Sequence, residues 1–116
     1  SVAIAPVANL VSFVNYYDEF GNTNSYLDYI KSDEYSIEEG SPAHNVDKIN
    51  IPVMLFHGKL DRSVRVGQSQ YFYEAMKEKN KDIKYIEWEE GDHYFSREKD
   101  RIQFLEEMGR FLKKHL

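Results

Sequence analysis

Cysteine is absent from the 116-residue sequence. Its absence excludes disulfide bonds, thiolate metal sites and a cysteine nucleophile, but it leaves the redox compartment open. Long apolar runs are absent too, since no segment approaches the roughly 20 apolar residues of a membrane-spanning helix. No segment has the pattern of a signal peptide. The sequence therefore predicts a soluble protein and leaves a cytoplasmic, periplasmic or secreted location open.

Basic residues are fewer than acidic ones: the sequence has 15 Lys and Arg and 20 Asp and Glu, which gives a formal net charge of -5. No cluster of Lys and Arg offsets this balance, which argues against nucleic acid or an anionic membrane as a partner. A chain of this length can bury one modest core, so we expect one domain or less.

An initiator methionine is also missing, and the chain opens on Ser1-Val2-Ala3-Ile4-Ala5, which has the apolar character of a buried strand. A domain that begins inside its own sheet is typical of a fragment. We therefore expect residues 1–116 to be part of a larger domain, with a processed terminus or an edge strand as the alternatives.

The sequence does contain a regular alternation of strand and helix patterns. Strands are predicted at residues 2–5, 52–56 and 83–88, and helices at 8–17, 67–79 and 97–116, with a short helix from Asn24 or Ser25 to about Lys31 and an irregular loop over 32–47. The predicted core-facing residues are Tyr71, Phe72, Ala75 and Met76 in the second main helix and Ile102, Leu105, Met108, Phe111 and Leu112 in the third. This alternation predicts an α/β fold with about three parallel strands, right-handed crossovers and flanking helices.

Two residues that can carry chemistry follow neighbouring strands. Asp61 comes shortly after the strand at 52–56 and its His57-Gly58 turn, and His93 follows the strand at 83–88. Parallel strands deliver their C-terminal loops to the same edge of a sheet, so these two side chains can meet there. A carboxylate that accepts a bond from imidazole Nδ1–H leaves Nε2 free to act as a base. The alternative for Asp61 alone is a turn carboxylate that caps the following helix.

The segment from about Ser41 to Leu116 resembles the C-terminal part of the catalytic domain in the prolyl oligopeptidase family of serine peptidases. The residues that carry the resemblance are Ser41-Pro42, Val46-Asp47-Lys48-Ile49, Pro52-Val53, His57-Gly58, Asp61, Val64, Gln68-Ser69, Tyr73-Glu74-Ala75 and Gly91-Asp92-His93. The resemblance implies an α/β-hydrolase with the triad order Ser, Asp, His. It makes Asp61 the triad acid and His93 the triad base, with a peptide as substrate and no cofactor.

A weaker likeness covers the start of the chain, where Ala5-Pro6-Val7 and Tyr16-Tyr17-Asp18 resemble the segment after the nucleophile strand. In the family a tyrosine of this segment helps to form the pocket for the residue before the scissile bond. The resemblance implies that role for Tyr17. Tyr94 departs from the family pattern, because many members have glycine after the triad histidine.

The nucleophile that the resemblance requires is missing from the chain. The Gly-x-Ser-x-Gly elbow should precede the acid, but no such sequence occurs, and Gly67-Gln68-Ser69-Gln70 lacks the closing glycine and follows Asp61. Ser69 is predicted to cap a helix. We therefore expect a C-terminal fragment, 1–116, of a peptidase-type catalytic domain that is inactive in isolation.

Other functions stay open. An esterase or lipase of the same fold would use the same acid and base, and a non-catalytic module could dock or dimerise through an exposed sheet edge beside residues 2–5. A zinc site of His57, Asp61 and His93 is chemically conceivable, but a triad explains Asp61 and His93 without a metal. His57 is predicted to be a structural hydrogen-bonding residue, and Glu87, Glu89, Glu90 and Asp92 a solvated rim.

Overall fold

The computed structural model describes residues 1–19, 21, 28 and 30–116. Its strands are β1 (Val2–Ile4), β2 (Val53–Gly58) and β3 (Ile83–Trp88), and its helices are α1 (Leu10–Asp18), α2 (Ile37–Gly40), α3 (Gly67–Glu78) and α4 (Glu98–His115), with 3₁₀ turns at Pro42–His44 and Val46–Lys48. The predicted α/β alternation is confirmed. The short helix predicted from Asn24 or Ser25 falls largely on residues that lie outside the described part.

The three strands form one parallel sheet in the order β1-β2-β3. Val2 pairs with Met54 in one direction, and Val53 pairs with Ile83 in the other. Every residue of the central strand β2 is buried. A strand covered on both faces reads as a continuous apolar run instead of an alternating one, and Val53-Met54-Leu55-Phe56 has that character.

The core lies in two layers, one on each face of the sheet. Because successive side chains of a strand point to opposite faces, Leu55 packs in one cluster with Phe72 and Met76 of α3. Phe56 packs in the other, which includes residues of β3 and α4. Among the described residues, no helix combines the length and the apolar character needed to cross a membrane.

The segment 32–47 is more regular than predicted. Ser36 and Glu39 form a capping box at the start of α2, in which the Ser36 side chain accepts from Glu39 N–H and the Glu39 side chain accepts from Ser36 N–H. The buried Ser41 hydroxyl then accepts from Leu10 N–H at 2.9 Å and donates to the Ile37 carbonyl at 2.9 Å. These side-chain bonds to backbone hold a polar segment in order without a large apolar face.

Three residues predicted to face the core do not. Tyr71, Ile102 and Leu105 are 51%, 50% and 60% exposed. Phe104 of α4 instead packs edge-on against Phe56, with ring centroids 4.8 Å apart. Since one helical residue advances about 100°, a stripe centred on Phe104 turns Ile102 and Leu105 away from the sheet.

Candidate active site

Asp61 lies in the acid loop, the segment from Lys59 to Val66 that follows β2. Its side chain has no exposed surface, and its Oδ1 accepts hydrogen bonds from the backbone N–H groups of Ser63 and Val64, both at 2.8 Å. An aspartate that bonds the backbone two and three residues ahead is a common way to shape a turn. The turn holds Oδ1 in place and leaves Oδ2 for another donor.

That donor is His93, in the base loop from Glu89 to Arg97 that follows β3. His93 Nδ1 lies 2.7 Å from Asp61 Oδ2, and the His93 side chain is 33% exposed. Because an ionised carboxylate only accepts, Nδ1 carries the hydrogen in this pair. The arrangement leaves Nε2 of the neutral ring with a free lone pair, which is what a general base needs.

Backbone contacts between two glycines bring the loops together. A Cβ atom on Gly58 would lie 2.2 Å from the Gly91 carbonyl oxygen, so the chains approach more closely than any side chain permits. Lys59 N–H donates to the Trp88 carbonyl at 2.8 Å, and Leu60 N–H donates to the Gly91 carbonyl at 2.9 Å. The acid loop is thereby joined to the base loop by main-chain bonds.

A charged network supports the same edge of the sheet. Lys59 Nζ lies 2.6 Å from Glu89 Oε1 and 3.3 Å from Glu87 Oε1, while Glu87 Oε2 accepts from Tyr85 Oη at 2.6 Å and Gln70 Nε2 at 2.9 Å. Burial opposes ionisation of Glu87, but the bonds from Tyr85, Gln70 and Lys59 outweigh it and hold its pKa below the ordinary value. Bonds to Glu89 and Glu87 raise the pKa of Lys59.

Asp92 shapes the base loop. Its Oδ1 accepts from the backbone N–H groups of Tyr94 and Ser96 at 3.2 and 2.9 Å, and Ser96 Oγ donates to Oδ2 at 2.5 Å. The side-chain bond from Ser96 and then its backbone bond lower the pKa of the Asp92 carboxyl. Asp92 therefore closes the turn that presents His93 instead of lying free on a solvated rim.

Tyr17 of α1 is attached to the acid loop, because its hydroxyl donates to the Ser63 carbonyl at 2.8 Å. It lines a cavity of about 560 Å³ between α1 and the start of α3, together with Phe13, Tyr16 and Tyr71. The predicted pocket residue thus lies in an aromatic cavity and touches the loop that carries Asp61.

The prediction that Ser69 caps α3 is wrong. Ser69 has no exposed surface, and its Oγ lies 2.7 Å from His57 Nδ1; the start of α3 has no side-chain cap. The helix turns Ser69 inward towards β2, where the buried imidazole is the polar partner within reach. A strand histidine followed twelve positions later by a serine near a helix start is too weak a pattern to reveal this pair.

His57 bonds through both ring nitrogens, as its predicted structural role requires. Its Nε2 lies 2.8 Å from the Val64 carbonyl and 3.3 Å from Asp61 Oδ2. From the sequence, closeness of His57 to Asp61 was considered only as part of the zinc alternative. In the described part of the chain, no group of three or more His, Cys, Asp and Glu side chains is arranged to hold a metal ion.

The parallel sheet, with an acid loop after one strand and a histidine loop after the next, defines the chain as part of an α/β-hydrolase. A model of the prolyl oligopeptidase family matches residues 1–116, and the chain belongs to that family. No match is found among curated protein sequences.

Solved peptidase structures share the fold. A puromycin-hydrolyzing peptidase of Mycobacterium tuberculosis is 25% identical and superposes over 90% of this chain and 16% of its own, with a TM-score of 0.77. The acylaminoacyl peptidase of Pyrococcus horikoshii is 17% identical, with 99% and 19% covered and a TM-score of 0.76. The present chain therefore spans less than a fifth of the length of these two peptidases.

An esterase also resembles the chain. Esterase 2 of Thermogutta terrifontis, in its butyrate-bound structure, is 26% identical, covers 66% of this chain and 30% of its own, and has a TM-score of 0.56. Both peptidases and an esterase are therefore among the solved structures that this chain resembles.

Proposed function

We propose that Asp61 and His93 are the acid and base of a Ser-Asp-His triad in a serine peptidase, and that the serine lies outside this chain. The observation that carries the proposal is the 2.7 Å contact between His93 Nδ1 and Asp61 Oδ2. A buried carboxylate facing a partly exposed imidazole is the arrangement that holds a general base in one tautomer. Membership of the prolyl oligopeptidase family supports the same roles.

In the proposed reaction, His93 Nε2 takes the proton of the serine hydroxyl while the serine oxygen bonds to the acyl carbon of the substrate. His93 returns that proton to the leaving amine, the C–N bond breaks, and an acyl-enzyme remains. Water then loses a proton to Nε2 as its oxygen attacks the acyl carbon, and the proton passes back to the serine as the acid leaves. Asp61 stays ionised and stabilises the imidazolium at each stage.

Tyr17 completes the proposed site as a wall of the pocket for the residue before the scissile bond. Its bond to the Ser63 carbonyl supports this role, because the Ser63 N–H binds Asp61 Oδ1. The pocket wall and the triad acid thus both bond to the backbone of one residue, Ser63. The aromatic lining suits an apolar side chain of a peptide.

The 116-residue chain by itself is expected to show no turnover. It has no Gly-x-Ser-x-Gly elbow, and Ser69 is buried against His57. Removal of the serine from such a triad lowers kcat by about 10⁶. The residues 1–116 are accordingly proposed to be the C-terminal part of a longer catalytic domain.

The test combines a fluorophosphonate probe with chromogenic aminoacyl and dipeptidyl esters and amides. We expect no labelled serine and no hydrolysis above that of the His93→Ala variant. Serine labelling that disappears in His93→Ala would place the nucleophile inside the chain, and hydrolysis that survives His93→Ala would remove His93 as the base.

A second measurement tests the acid–base pair itself. In ¹⁵N-histidine spectra at a pH where the ring is neutral, His93 is expected to carry its proton on Nδ1. In Asp61→Asn the amide can donate to Nδ1, so the proton should move to Nε2. The matched control is Asp47→Asn, which should leave the tautomer unchanged because the Asp47 carboxylate is 72% exposed and pairs with Lys79 instead of a histidine. An unchanged His93 in Asp61→Asn would contradict the pairing.

An esterase is the second candidate, favoured by the likeness to the Thermogutta esterase. The two reactions differ in the leaving group, because an amine must be protonated as it departs whereas an alkoxide needs less assistance. In a polypeptide that contains both this chain and its serine, we expect hydrolysis of a matched amide as well as its ester. Hydrolysis of the ester alone would favour the esterase.

Self-association is the non-catalytic candidate. In the described part of the chain, β1 pairs with β2 alone, and Ile4 is 41% exposed. An open strand edge can pair with another chain. Light scattering decides this point, because a monomer across the measured concentrations would remove the docking module.

A further inference from the structure

His57 is a buried polar residue in the middle of the sheet. It lies on β2, has no exposed surface, and is surrounded by Ser69 of α3 and by Asp61 and Val64 of the acid loop. A buried imidazole must satisfy both ring nitrogens, since an unpaired buried polar atom costs about 1–3 kcal/mol. Its two bonds determine where its proton resides.

The Val64 carbonyl selects the tautomer of His57. A carbonyl oxygen accepts and cannot donate, so His57 Nε2, at 2.8 Å from it, carries the hydrogen. In the neutral ring Nδ1 is then the acceptor and takes the hydroxyl hydrogen of Ser69 at 2.7 Å. His57 thus presents an Nε2–H donor to the acid loop.

Val64 is held from both sides of its backbone. Its carbonyl accepts from His57, and its N–H donates to Asp61 Oδ1 at 2.8 Å. The same His57 Nε2 lies 3.3 Å from Asp61 Oδ2, the oxygen that contacts His93. One imidazole N–H therefore faces both the residue that orients Asp61 and the carboxylate oxygen that orients His93.

We propose that His57 is a positioning residue, which holds Val64 and Asp61 so that Asp61 Oδ2 faces His93 Nδ1. The N–H donor at Nε2 performs this role, the Val64 carbonyl fixes the hydrogen there, and the Ser69 hydroxyl satisfies Nδ1. A role for His57 in catalysis rests on the proposed triad. The positions of His57, Asp61 and His93 relative to one another can be tested without assuming that triad.

The test uses two variants that remove different halves of the imidazole. The amide of Gln reaches the place of Nε2 and can donate to the Val64 carbonyl, whereas the shorter amide of Asn replaces Nδ1 and reaches only Ser69. We expect His57→Gln to retain the Nδ1–H tautomer of His93. We expect His57→Asn to shift at least half of the way towards the tautomer ratio measured for Asp61→Asn, with both variants checked for native circular dichroism.

Amide hydrogen exchange supplies a second readout on the same proteins. The N–H groups of Ser63 and Val64 bind Asp61 Oδ1, so their exchange should quicken at least tenfold in His57→Asn and remain near the original rate in His57→Gln. The N–H groups of β3 that bond to β2 serve as the control, because a general loss of stability would quicken them equally. An equal change in all of these amides would show a merely structural role.

The unaltered chain also tests the proposal, whether or not the variants fold. His57 should show a proton on Nε2 in ¹⁵N spectra, and a proton on Nδ1 would overturn the assignment. If Asp61→Asn moves the His93 proton and His57→Asn does not, the triad pairing stands and the role of His57 is rejected. If Asp61→Asn itself has no effect, the proposed function fails first.

Discussion

Gly58 and Gly91 face each other where the acid loop leaves β2 and the base loop leaves β3. Neither glycine has a positive φ, so backbone conformation does not require glycine at these positions. The close approach of the two chains does, since a Cβ on Gly58 would lie 2.2 Å from the Gly91 carbonyl oxygen. Because both residues lack a side chain, the loops that carry Asp61 and His93 can lie close together.

Gly58→Ala is therefore expected to destabilise the fold by about 1–3 kcal/mol, the usual cost of forcing extra atoms into a packed site. Chemical denaturation measures the change. The matched control is Gly109→Ala in α4, where a Cβ meets nothing within 4 Å and alanine should stabilise the helix by about 0.5–1 kcal/mol. The same sign for both variants would contradict the close approach of the two loops.

At the scale of the element, α4 shows which of its faces the sheet uses. Phe104 packs between Phe56 and Phe95, with centroids at 4.8 and 5.8 Å, whereas its neighbour Leu105 is 60% exposed. The spacing of apolar residues along the helix predicts a core-facing stripe through Leu105. Apolar residues also lie beside the stripe that packs on the sheet, so spacing by itself does not single out Phe104. The rings of Phe56 and Phe95, which both lie outside α4, distinguish the two stripes.

Alanine substitution of these adjacent residues tests the face. Phe104→Ala should lower the free energy of unfolding by about 2–4 kcal/mol, near the lower end of the range for aromatic truncations because Phe104 is only partly buried. Leu105→Ala should change it by less than about 0.5 kcal/mol, as exposed positions do. Urea unfolding of both variants gives the comparison, and a larger effect at Leu105 would restore the predicted stripe.

At the scale of the whole molecule, Glu87 draws three elements together. It belongs to β3 and bonds Lys59 of the acid loop, Tyr85 of its own strand and Gln70 of α3. Burial and then the bond to Glu87 raise the pKa of the Tyr85 hydroxyl, so Tyr85 remains a donor. The network couples the acid loop to the helix on one face of the sheet.

Glu87 makes stability depend on pH in a defined direction. Its pKa is lower in the folded chain than its ordinary value of 4.5, so its contribution is present above that value and is lost as the pH falls through the lowered folded pKa. The Tm of the unaltered chain should therefore fall as the pH is lowered from about 6 to about 3, and the fall should be smaller in Glu87→Gln. The difference should correspond to about 0.5–1 kcal/mol in the free energy of unfolding, as for a solvent-screened pair.

Glu89→Gln is the control for this measurement. It removes a second carboxylate from Lys59, but its side chain is 78% exposed and it contacts neither Tyr85 nor Gln70. We expect a smaller change in the pH dependence. A larger change in Glu89→Gln than in Glu87→Gln would contradict the network.

The local order of residues determined much of this protein by itself. The apolar run at β2 specifies a buried parallel strand, and the alternation of strands with amphipathic helices specifies an α/β sheet. Since parallel strands end at one edge, the positions of Asp61 and His93 after β2 and β3 were sufficient to predict that they meet. Periodicity along the chain carries this information because it reports which faces are buried.

The tertiary structure alone decided the remaining features. Which stripe of α4 packs depends on Phe56, and the inward turn of Ser69 depends on His57, both of which lie on another element. The bond from His57 to the Val64 carbonyl likewise joins a strand to a loop. Each of these contacts joins side chains of two different elements. The hydrophobic periodicity of one segment reports which of its faces is buried, but it does not identify the partner residues on another element.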